Sequence, residues 1–327
     1  MLEALYFETG AQGITCLLCP KNCIIAEGKT GFCRTRKNSG GKLYVLNYAA
    51  CSSYALDPIE KKPLYHFYPG KQILSLGTWG CNFSCQFCQN WHLAQAEPQT
   101  MYVSPERAVL MAKQAGMDNI GIAFTYSEPN VWYEYVLDTA RLANREDQKI
   151  VLVTNGFINN KPLKNLLPYV DAMNIDVKAF SNVYYQQICA GNLDNVKQTV
   201  ELASRYCHIE ITTLLVPGLN DSMKEIEALA KWLSTVSSNI PLHFSRYYPN
   251  HRIFTPPTPL ATLEKAYQIA RTYLNYVYLG NVDSRFSNTY CPACSALLID
   301  RSQAAISYLP RDRTCPGCGR ATDISFF

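Results

Sequence analysis

The sequence predicts an α/β fold, an open or partial (β/α) barrel of about six to seven βα units with small cysteine-rich, metal-binding segments at both termini. Between residues 73 and 280, apolar runs with strand character alternate with amphipathic stretches, a pattern typical of parallel strands joined by right-handed helical crossovers. Of the 14 cysteines, 11 fall into three tight groups. We therefore expect a cysteine-rich segment at residues 1–70, the barrel at 71–285 and a zinc-ribbon-like module at 286–327.

Individual elements of the barrel follow from this pattern. Strands are predicted at 73–79, 119–126, 149–155, 172–178, 208–216, 241–247 and 276–281. Ser104 before Pro105 is a favourable helix start, because a capping hydroxyl precedes a proline at the first helical position, and Thr258-Pro259 repeats the device. One helical face is predicted from apolar residues spaced three and four apart: Met223, Ile226, Leu229, Ala230 and Leu233.

Polar residues follow the first four predicted strands directly. The cysteine motif at 81–88 follows the first strand, Tyr126-Ser127-Glu128-Pro129 the second and Asn155-Gly156 the third, while Asp176 and Lys178 end the fourth. Active sites of (β/α) barrels lie at the carboxyl ends of the strands. These residues are therefore predicted to meet at one end of the barrel.

Composition and charge exclude several classes of protein. Hydrophobic residues make up 48% of the 327 and charged residues 17%, which indicates a sizeable core rather than disorder. The net charge of +4 argues against a dedicated nucleic-acid binder. There is no signal-peptide pattern and no apolar run of about 18 residues, so we expect a cytoplasmic protein outside the membrane. In that compartment grouped cysteines indicate metal sites, and Cys51, Cys189 and Cys207 are expected to be free thiols.

The central group, Cys81, Cys85 and Cys88, has the spacing C-x3-C-x2-C. It supplies three thiolates from one loop, whereas a cubane iron–sulfur cluster has four irons to ligate. The next cysteine, Cys189, lies beyond a different strand, so one iron is predicted to keep an open position for a substrate or cofactor. A structural zinc site would pair this loop with a second C-x2-C knuckle, which is lacking here.

The two terminal groups each contain four cysteines. The C-terminal group pairs two C-x2-C knuckles, as a structural zinc ribbon does: Cys291, Cys294, Cys315 and Cys318. The N-terminal group has the spacing C-x2-C-x3-C-x9-C: Cys16, Cys19, Cys23 and Cys33. For that group we favour structural zinc, with an auxiliary iron–sulfur cluster as the alternative. Both groups are expected to hold the termini onto the barrel.

The C-x3-C-x-aromatic-C form of the central motif, with Phe87 as the aromatic residue, resembles the radical S-adenosylmethionine (SAM) superfamily. That family implies a partial barrel and a [4Fe–4S] cluster whose open iron is chelated by SAM. One electron then cleaves SAM to methionine and a 5′-deoxyadenosyl radical, which abstracts hydrogen from a substrate. Further segments resemble the radical SAM component of AmmeMemoRadiSam systems, which is related to pyruvate formate-lyase activating enzymes: CLLCPKNCIIAEGKTGFCRTRKN, DPIEKKPLYHFYPG, GCNFSCQFCQNW, TYSEPN, NIDVKAF, VPGLND and HFSRYYP.

The resemblance implies SAM contacts at Phe87, Glu128, Asn155, Asp176 and Lys178. Glu128 would accept hydrogen bonds from the SAM ammonium group, Asn155 would contact the ribose or carboxylate, and the last two would lie near the methionine moiety. The residues alone also fit plainer roles, namely turns for Glu128 and Asn155 and an internal ion pair for Asp176 with Lys178.

Substrate contacts are expected at His243, Arg246 and Asn220, which lie at later strand ends, and Arg246 suggests an anionic group. The implied function is hydrogen abstraction from a small-molecule or peptide-like substrate, with a low-potential flavodoxin- or ferredoxin-type donor and a Memo-like pathway partner. One alternative is a glycyl-radical enzyme activase, although activases place the cluster loop nearer the N-terminus. Another is a non-catalytic zinc-ribbon adaptor for nucleic acid or protein.

Overall fold

The computed structural model describes residues 2–282, 286–302, 307–308 and 313–325. The N-terminal strands are β1 (Leu2–Glu3), β2 (Phe7–Gly10), β3 (Gly13–Cys16), β4 (Ile24–Ile25), β5 (Arg36–Ser39), β6 (Lys42–Val45), β7 (Ala50–Cys51) and β8 (Ser53–Pro58). The central strands are β9 (Gln72–Gly77), β10 (Met101–Tyr102), β11 (Asn119–Phe124), β12 (Lys149–Thr154), β13 (Ala172–Asp176), β14 (His208–Leu215), β15 (Leu242–Arg246) and β16 (Val277–Gly280). The C-terminal strands are β17 (Thr289–Tyr290), β18 (Leu297–Asp300) and β19 (Ser307–Tyr308).

The helices lie mostly between the central strands. They are α1 (Trp91–Ala94), α2 (Pro105–Gln114), α3 (Tyr133–Arg145), α4 (Asn160–Leu166), α5 (Asn182–Tyr184), α6 (Leu193–Ala203), α7 (Met223–Val236) and α8 (Leu260–Arg271). Short 3₁₀ turns occur at Ile59–Lys61, Pro129–Trp132 and Leu167–Tyr169, and a π-helical turn spans Tyr185–Cys189. Within the described ranges, no helix is long and apolar enough to cross a membrane.

The central sheet contains the seven predicted strands in the order of the sequence. Strands β9 and β11 to β16 are parallel, and β8 pairs antiparallel with β9 at the edge. The predicted α/β fold with a partial barrel is therefore confirmed. The domain boundary at residue 70 stays a prediction; β8, which precedes it, already belongs to this sheet.

The parallel strands are buried on both faces, because helices cover one face of the sheet and the barrel interior covers the other. In β9, five of six residues are buried, and the same holds for β11. The outer layer includes α7, which buries Ile226, Leu229, Ala230 and Leu233 along the predicted face and leaves Met223 half-buried.

One of the two predicted helix starts is confirmed. The Ser104 hydroxyl accepts a hydrogen bond from the backbone N–H of Arg107, and Pro105 opens α2. The prediction for Thr258 is wrong, because Pro259 is the residue before α8 and no side chain caps that helix. The Thr258 hydroxyl instead donates to the carbonyl of Leu215 at 2.6 Å and accepts from a backbone N–H at 2.9 Å, so it ties the ends of two strands together.

The loop between β8 and β9 closes the lower end of the barrel, where the parallel strands begin. His66 is fully buried there, and its backbone N–H donates to Glu210 of β14 at 2.7 Å. The C-terminal module covers this loop, since Ser325 donates to the His66 carbonyl and the Arg301 guanidinium donates to the carbonyl of Tyr65. The candidate site lies at the upper end of the barrel, where the parallel strands finish.

Candidate active-site cleft

The cysteine motif occupies the loop that follows β9 and borders a cleft at the upper end of the barrel. The cleft encloses about 1010 Å³ including its open mouth, and Cys81, Cys85 and Cys88 all line it. The backbone N–H groups of Ser84 and Gln86 donate to carbonyls of the π-helical turn at 3.0 Å. These bonds fix the loop from outside, so its three thiols converge on one space.

The separation of these thiols suits a cluster better than one ion. In the part of the chain that the structure describes, one group of three or more metal-ligating side chains has all its ligand atoms within 4.8 Å of one another, and it is the C-terminal cysteine group. The three cleft cysteines do not meet that distance. The backbone N–H of Phe83 points at the Cys81 sulfur at 3.3 Å, a contact of the kind that tunes iron–sulfur clusters.

Cys189 lies behind this loop rather than in the cleft. It is fully buried on the π-helical turn, and its thiol is in hydrogen-bond contact with Cys85, which together with burial raises the pKa of Cys85. Two thiolates that bind different irons of one cubane have the cluster between them, so they cannot be in direct contact as Cys85 and Cys189 are. Cys189 is therefore badly placed as a fourth ligand, and the cleft itself offers three thiols: Cys81, Cys85 and Cys88.

Glu128 faces the same cleft from the turn after β11. Its side chain is 3% exposed and accepts three hydrogen bonds, from the backbone N–H of Asn155 at 2.8 Å, the Thr154 hydroxyl at 2.6 Å and the backbone N–H of Asn130 at 3.0 Å. Burial raises the pKa of Glu128 to about 7, although these bonds oppose the shift. A cationic ligand group would stabilise the charged carboxylate, which fits the ammonium group of SAM.

Asn155 connects this carboxylate to the cysteine loop. Its side-chain amide donates to the Asn82 side chain at 2.8 Å and points at the Cys81 sulfur at 3.7 Å. Asn82 in turn donates to the Phe157 carbonyl at 2.7 Å. Asn155 is thus more than a turn residue, because it supports both the loop and the position of Glu128.

Asp176 and Lys178 form the internal ion pair that the residues alone suggested, and both line the cleft. The Lys178 ammonium lies 2.5 Å from the Asp176 carboxylate. Burial lowers the pKa of Lys178, but Asp176 and Cys85 outweigh burial and leave the pKa raised. Lys178 is therefore a permanent cation beside the thiols. Phe87 also lines the cleft and is 4% exposed.

The three predicted substrate contacts are not among the residues that line the cleft. His243 lies lower in the barrel, 2.6 Å from the Glu210 carboxylate. Asn220 is buried and donates to the carbonyls of Lys178 and Leu214, so it fixes the turn after β14. Arg246 points away and donates to the Thr258 carbonyl at 2.9 Å.

Sequence reasoning missed polar residues of the inner wall, namely Thr212, Ser245, Asn281 and Asn90. Two of them carried a usable signal. Thr212 is the register partner of Asp176 across neighbouring strands, and Ser245 lies two residues after His243, so both share the inner face. Asn90 donates to the carbonyl of Tyr126 at 2.8 Å, a contact that sequence spacing does not reveal.

The two terminal cysteine groups differ in geometry. In the C-terminal group, sulfurs lie 3.5 Å apart between Cys294 and Cys315 and 3.7 Å apart between Cys291 and Cys318. The N-terminal cysteines instead surround a separate cavity. None of the fourteen cysteines, all within the described ranges, forms a disulfide.

Comparison with known proteins agrees with this geometry. A profile of the Radical SAM superfamily matches residues 76–233. The uncharacterized protein MJ0808 of Methanocaldococcus jannaschii is 41% identical over 99% of both chains. MJ1632 of the same organism, provisionally named a glycyl-radical enzyme activating enzyme, is 27% identical over 62% of this chain and 79% of its own.

Among solved structures, SuiB of Streptococcus suis bound to S-adenosylmethionine superposes with a TM-score of 0.51. It is 14% identical and covers 66% of this chain and 49% of its own, which supports the fold alone. The profile match begins in β9, includes the three cleft cysteines and ends in α7. The chain belongs to the radical SAM superfamily.

Proposed function

We propose that this radical SAM enzyme cleaves S-adenosylmethionine reductively at a [4Fe–4S] cluster held by Cys81, Cys85 and Cys88, and abstracts hydrogen from a small-molecule or peptide-like substrate. The observation that carries the proposal is the convergence of these three thiols with the buried Glu128 on one cleft. Bound together, the cluster and SAM supply a carbon-centred radical for hydrogen abstraction.

The side chains around the thiols have separate tasks in this proposal. Glu128 receives the SAM ammonium, and its three protein hydrogen bonds fix the direction of the carboxylate in advance. Lys178 offers a cation to the SAM carboxylate while Asp176 holds its position. Asn155 keeps the cysteine loop and Glu128 in register.

The inner wall beyond these groups is available for the substrate. Leu214 gives it apolar surface, and Thr212, Ser245 and Asn281 give it hydrogen-bonding groups. This mixture suits an uncharged portion of a small molecule or peptide. Arg246 no longer supports an anionic substrate, because it does not line the cleft.

The experiment is anaerobic iron–sulfur reconstitution followed by dithionite and SAM, with 5′-deoxyadenosine measured by chromatography. We expect product from the wild type and none from Cys85→Ala. Cys207→Ala removes a thiol away from the cleft and serves as the matched control, which should retain product. Equal product from wild type and Cys85→Ala would disprove the proposal.

A place in an AmmeMemoRadiSam-type system, a Memo-like pathway partner and a cytoplasmic flavodoxin- or ferredoxin-type donor remain part of the proposal on the strength of the seven sequence segments. A glycyl-radical activase is the second candidate, because MJ1632 carries that provisional name. Incubation with a glycyl-radical enzyme separates the two, since an activase generates a glycyl radical visible by electron paramagnetic resonance (EPR).

Structural zinc is proposed for the C-terminal cysteines. Zn–S bonds of about 2.3 Å put tetrahedral ligand sulfurs roughly 3.8 Å apart, which agrees with the observed 3.5 and 3.7 Å. Zinc analysis by mass spectrometry should find one ion per chain that Cys294→Ala loses.

A further inference from the structure

A second cavity lies beside the active-site cleft, within the N-terminal segment. It measures about 340 Å³ including its opening to solvent, and all four cysteines of the N-terminal group line it: Cys16, Cys19, Cys23 and Cys33. Cys16 ends β3, and Cys23 directly precedes β4. The remaining wall is largely apolar, with Leu18, Ile25 and Val131. Thiols are the common feature of this wall, so the natural occupant is a thiophilic metal centre.

The spread of the thiols distinguishes between metal centres. A zinc ion bound at about 2.3 Å by four sulfurs holds those sulfurs roughly 3.8 Å apart. The C-terminal cysteines show that close arrangement, with all four sulfurs within 4.8 Å of one another. Within the described ranges, no three N-terminal thiols meet that distance. The three thiols of the active-site cleft do not meet it either.

Donors around the N-terminal cysteines also suit a cluster with its own sulfur atoms. The backbone N–H of Phe32 points at the Cys23 sulfur at 3.5 Å. Arg36 lines the cavity and is 1% exposed, and its Nε has no hydrogen-bond partner among the described residues. An unpaired buried N–H is costly, so this group calls for an acceptor inside the cavity.

Two cationic side chains act on these four thiols. The Arg36 guanidinium, held by Glu134 at 2.7 Å, acts electrostatically on Cys16 and Cys33. The Lys21 ammonium acts on Cys19 and Cys23 of this group. Lys21 thus offsets part of the negative charge of a four-thiolate centre, whereas the charge of Arg36 is already paired with Glu134 and Arg36 contributes its free Nε–H donor.

The two cysteine-lined cavities are neighbours. Lys21 also acts electrostatically on Cys81. Asn82 lines the second cavity, whereas the residues on either side of it, Cys81 and Phe83, line the cleft. One segment of backbone therefore separates the two sites. A centre in the second cavity would lie directly beside the SAM-cleaving site.

We propose that Cys16, Cys19, Cys23 and Cys33 bind a second [4Fe–4S] cluster, with four thiolate ligands, in place of the structural zinc favoured from the sequence alone. This cluster has no open iron and so does not chelate SAM. The assignment rests on the spread of the thiols and the unpaired Arg36 donor, and it is independent of SAM cleavage.

The test counts metals in the full chain after anaerobic reconstitution. Wild type should bind about eight irons, and Cys81→Ala/Cys85→Ala/Cys88→Ala should retain about four. After dithionite reduction, that triple variant should give the EPR signal of one reduced cluster. Cys294→Ala, altered at the opposite end of the barrel, is the matched control and should lose zinc but no iron.

Two zinc ions per wild-type chain, with about four irons, would overturn the proposal. If the triple variant fails to fold, the metal content of the wild type is sufficient by itself, because about eight irons and one zinc per chain support the second cluster. Loss of SAM cleavage with about eight irons present would count against the proposed function and leave this cluster in place. The two failures are therefore distinguishable.

Discussion

Glu128→Gln is the substitution that most directly tests how the cleft binds its cofactor. In the wild type, one carboxylate oxygen of Glu128 accepts from Thr154 and Asn130, and the other accepts from the backbone N–H of Asn155. Glutamine preserves the shape and the first pair of bonds. Its NH₂ group, however, meets the N–H of Asn155 donor to donor and offers nothing to an ammonium group.

The expected size of the effect follows from these bonds. A hydrogen bond to a charged group contributes about 1.5–3 kcal/mol, so loss of the ammonium partner should weaken SAM binding roughly 10- to 150-fold. The donor clash adds about 1–3 kcal/mol of destabilisation of the fold. Binding and stability must therefore be measured separately.

Isothermal titration of SAM into anaerobically reconstituted protein measures the binding, and urea unfolding measures the stability. Glu210→Gln is the matched control. Glu210 is also a fully buried carboxylate with three donors, but it lies at the lower end of the barrel. It should lose stability and keep SAM affinity. If Glu128→Gln binds SAM within twofold of wild type, the role given to this carboxylate is refuted.

Three buried positions outside the cleft affect the free energy of unfolding measurably. Burial lowers the pKa of His66 to about 3, so below pH 6.5 only the unfolded state takes up its proton. Stability should therefore fall by about 2 kcal/mol from pH 7 to pH 5; an equal fall in His66→Gln would contradict this. Glu134→Ala leaves a buried arginine unpaired and should lower the free energy of unfolding by about 3–5 kcal/mol. Its control, Glu146→Ala, breaks an exposed ion pair and should lower it by about 0–1 kcal/mol. Equal urea midpoints for the two variants would contradict this prediction. Gly121→Ala should abolish soluble expression, because its Cβ would overlap backbone of the next strand; Gly116 also has a positive φ, of 108°, but a Cβ there meets nothing within 4 Å, so Gly116→Ala should cost about 1–3 kcal/mol of backbone strain and still express.

The fold could be predicted closely because its signal is local. Seven apolar runs gave seven strands, since parallel strands buried on both faces must be apolar almost throughout. The failure at Thr258 has a physical cause: a hydroxyl before proline satisfies a helix N-terminus only if no stronger partner is near. Here the ends of β14 and β15 offer a carbonyl and an N–H, and neither contact is visible in local sequence.

The site could be predicted only where chemistry and strand ends coincide. The five SAM-contact candidates line one cleft with the three cysteines, and that convergence follows from the barrel rule. Strand periodicity identifies the inner face but not the depth along the axis. His243 and Ser245 share that face, yet only Ser245 reaches the cleft, while His243 is taken by Glu210 below. No local sequence pattern predicts this contact between His243 and Glu210, which lie on neighbouring strands.

The positions of the two terminal cysteine modules give them different relations to catalysis. Contacts of the N-terminal module fall on segments beyond the strand ends: Asn159 donates to the Leu18 carbonyl, Lys21 to that of Ala190, and Arg34 to that of Ala94.

The C-terminal module contacts the opposite end, where Asp323 accepts hydrogen bonds from Asn239 and Tyr276. A metal that only stabilises the fold can lie at either end. A redox centre is useful only near the reacting site, because electron transfer weakens steeply with separation. The upper position of the N-terminal cysteines therefore favours an electron-carrying centre there, and the lower position of the C-terminal cysteines favours a redox-inert ion such as zinc.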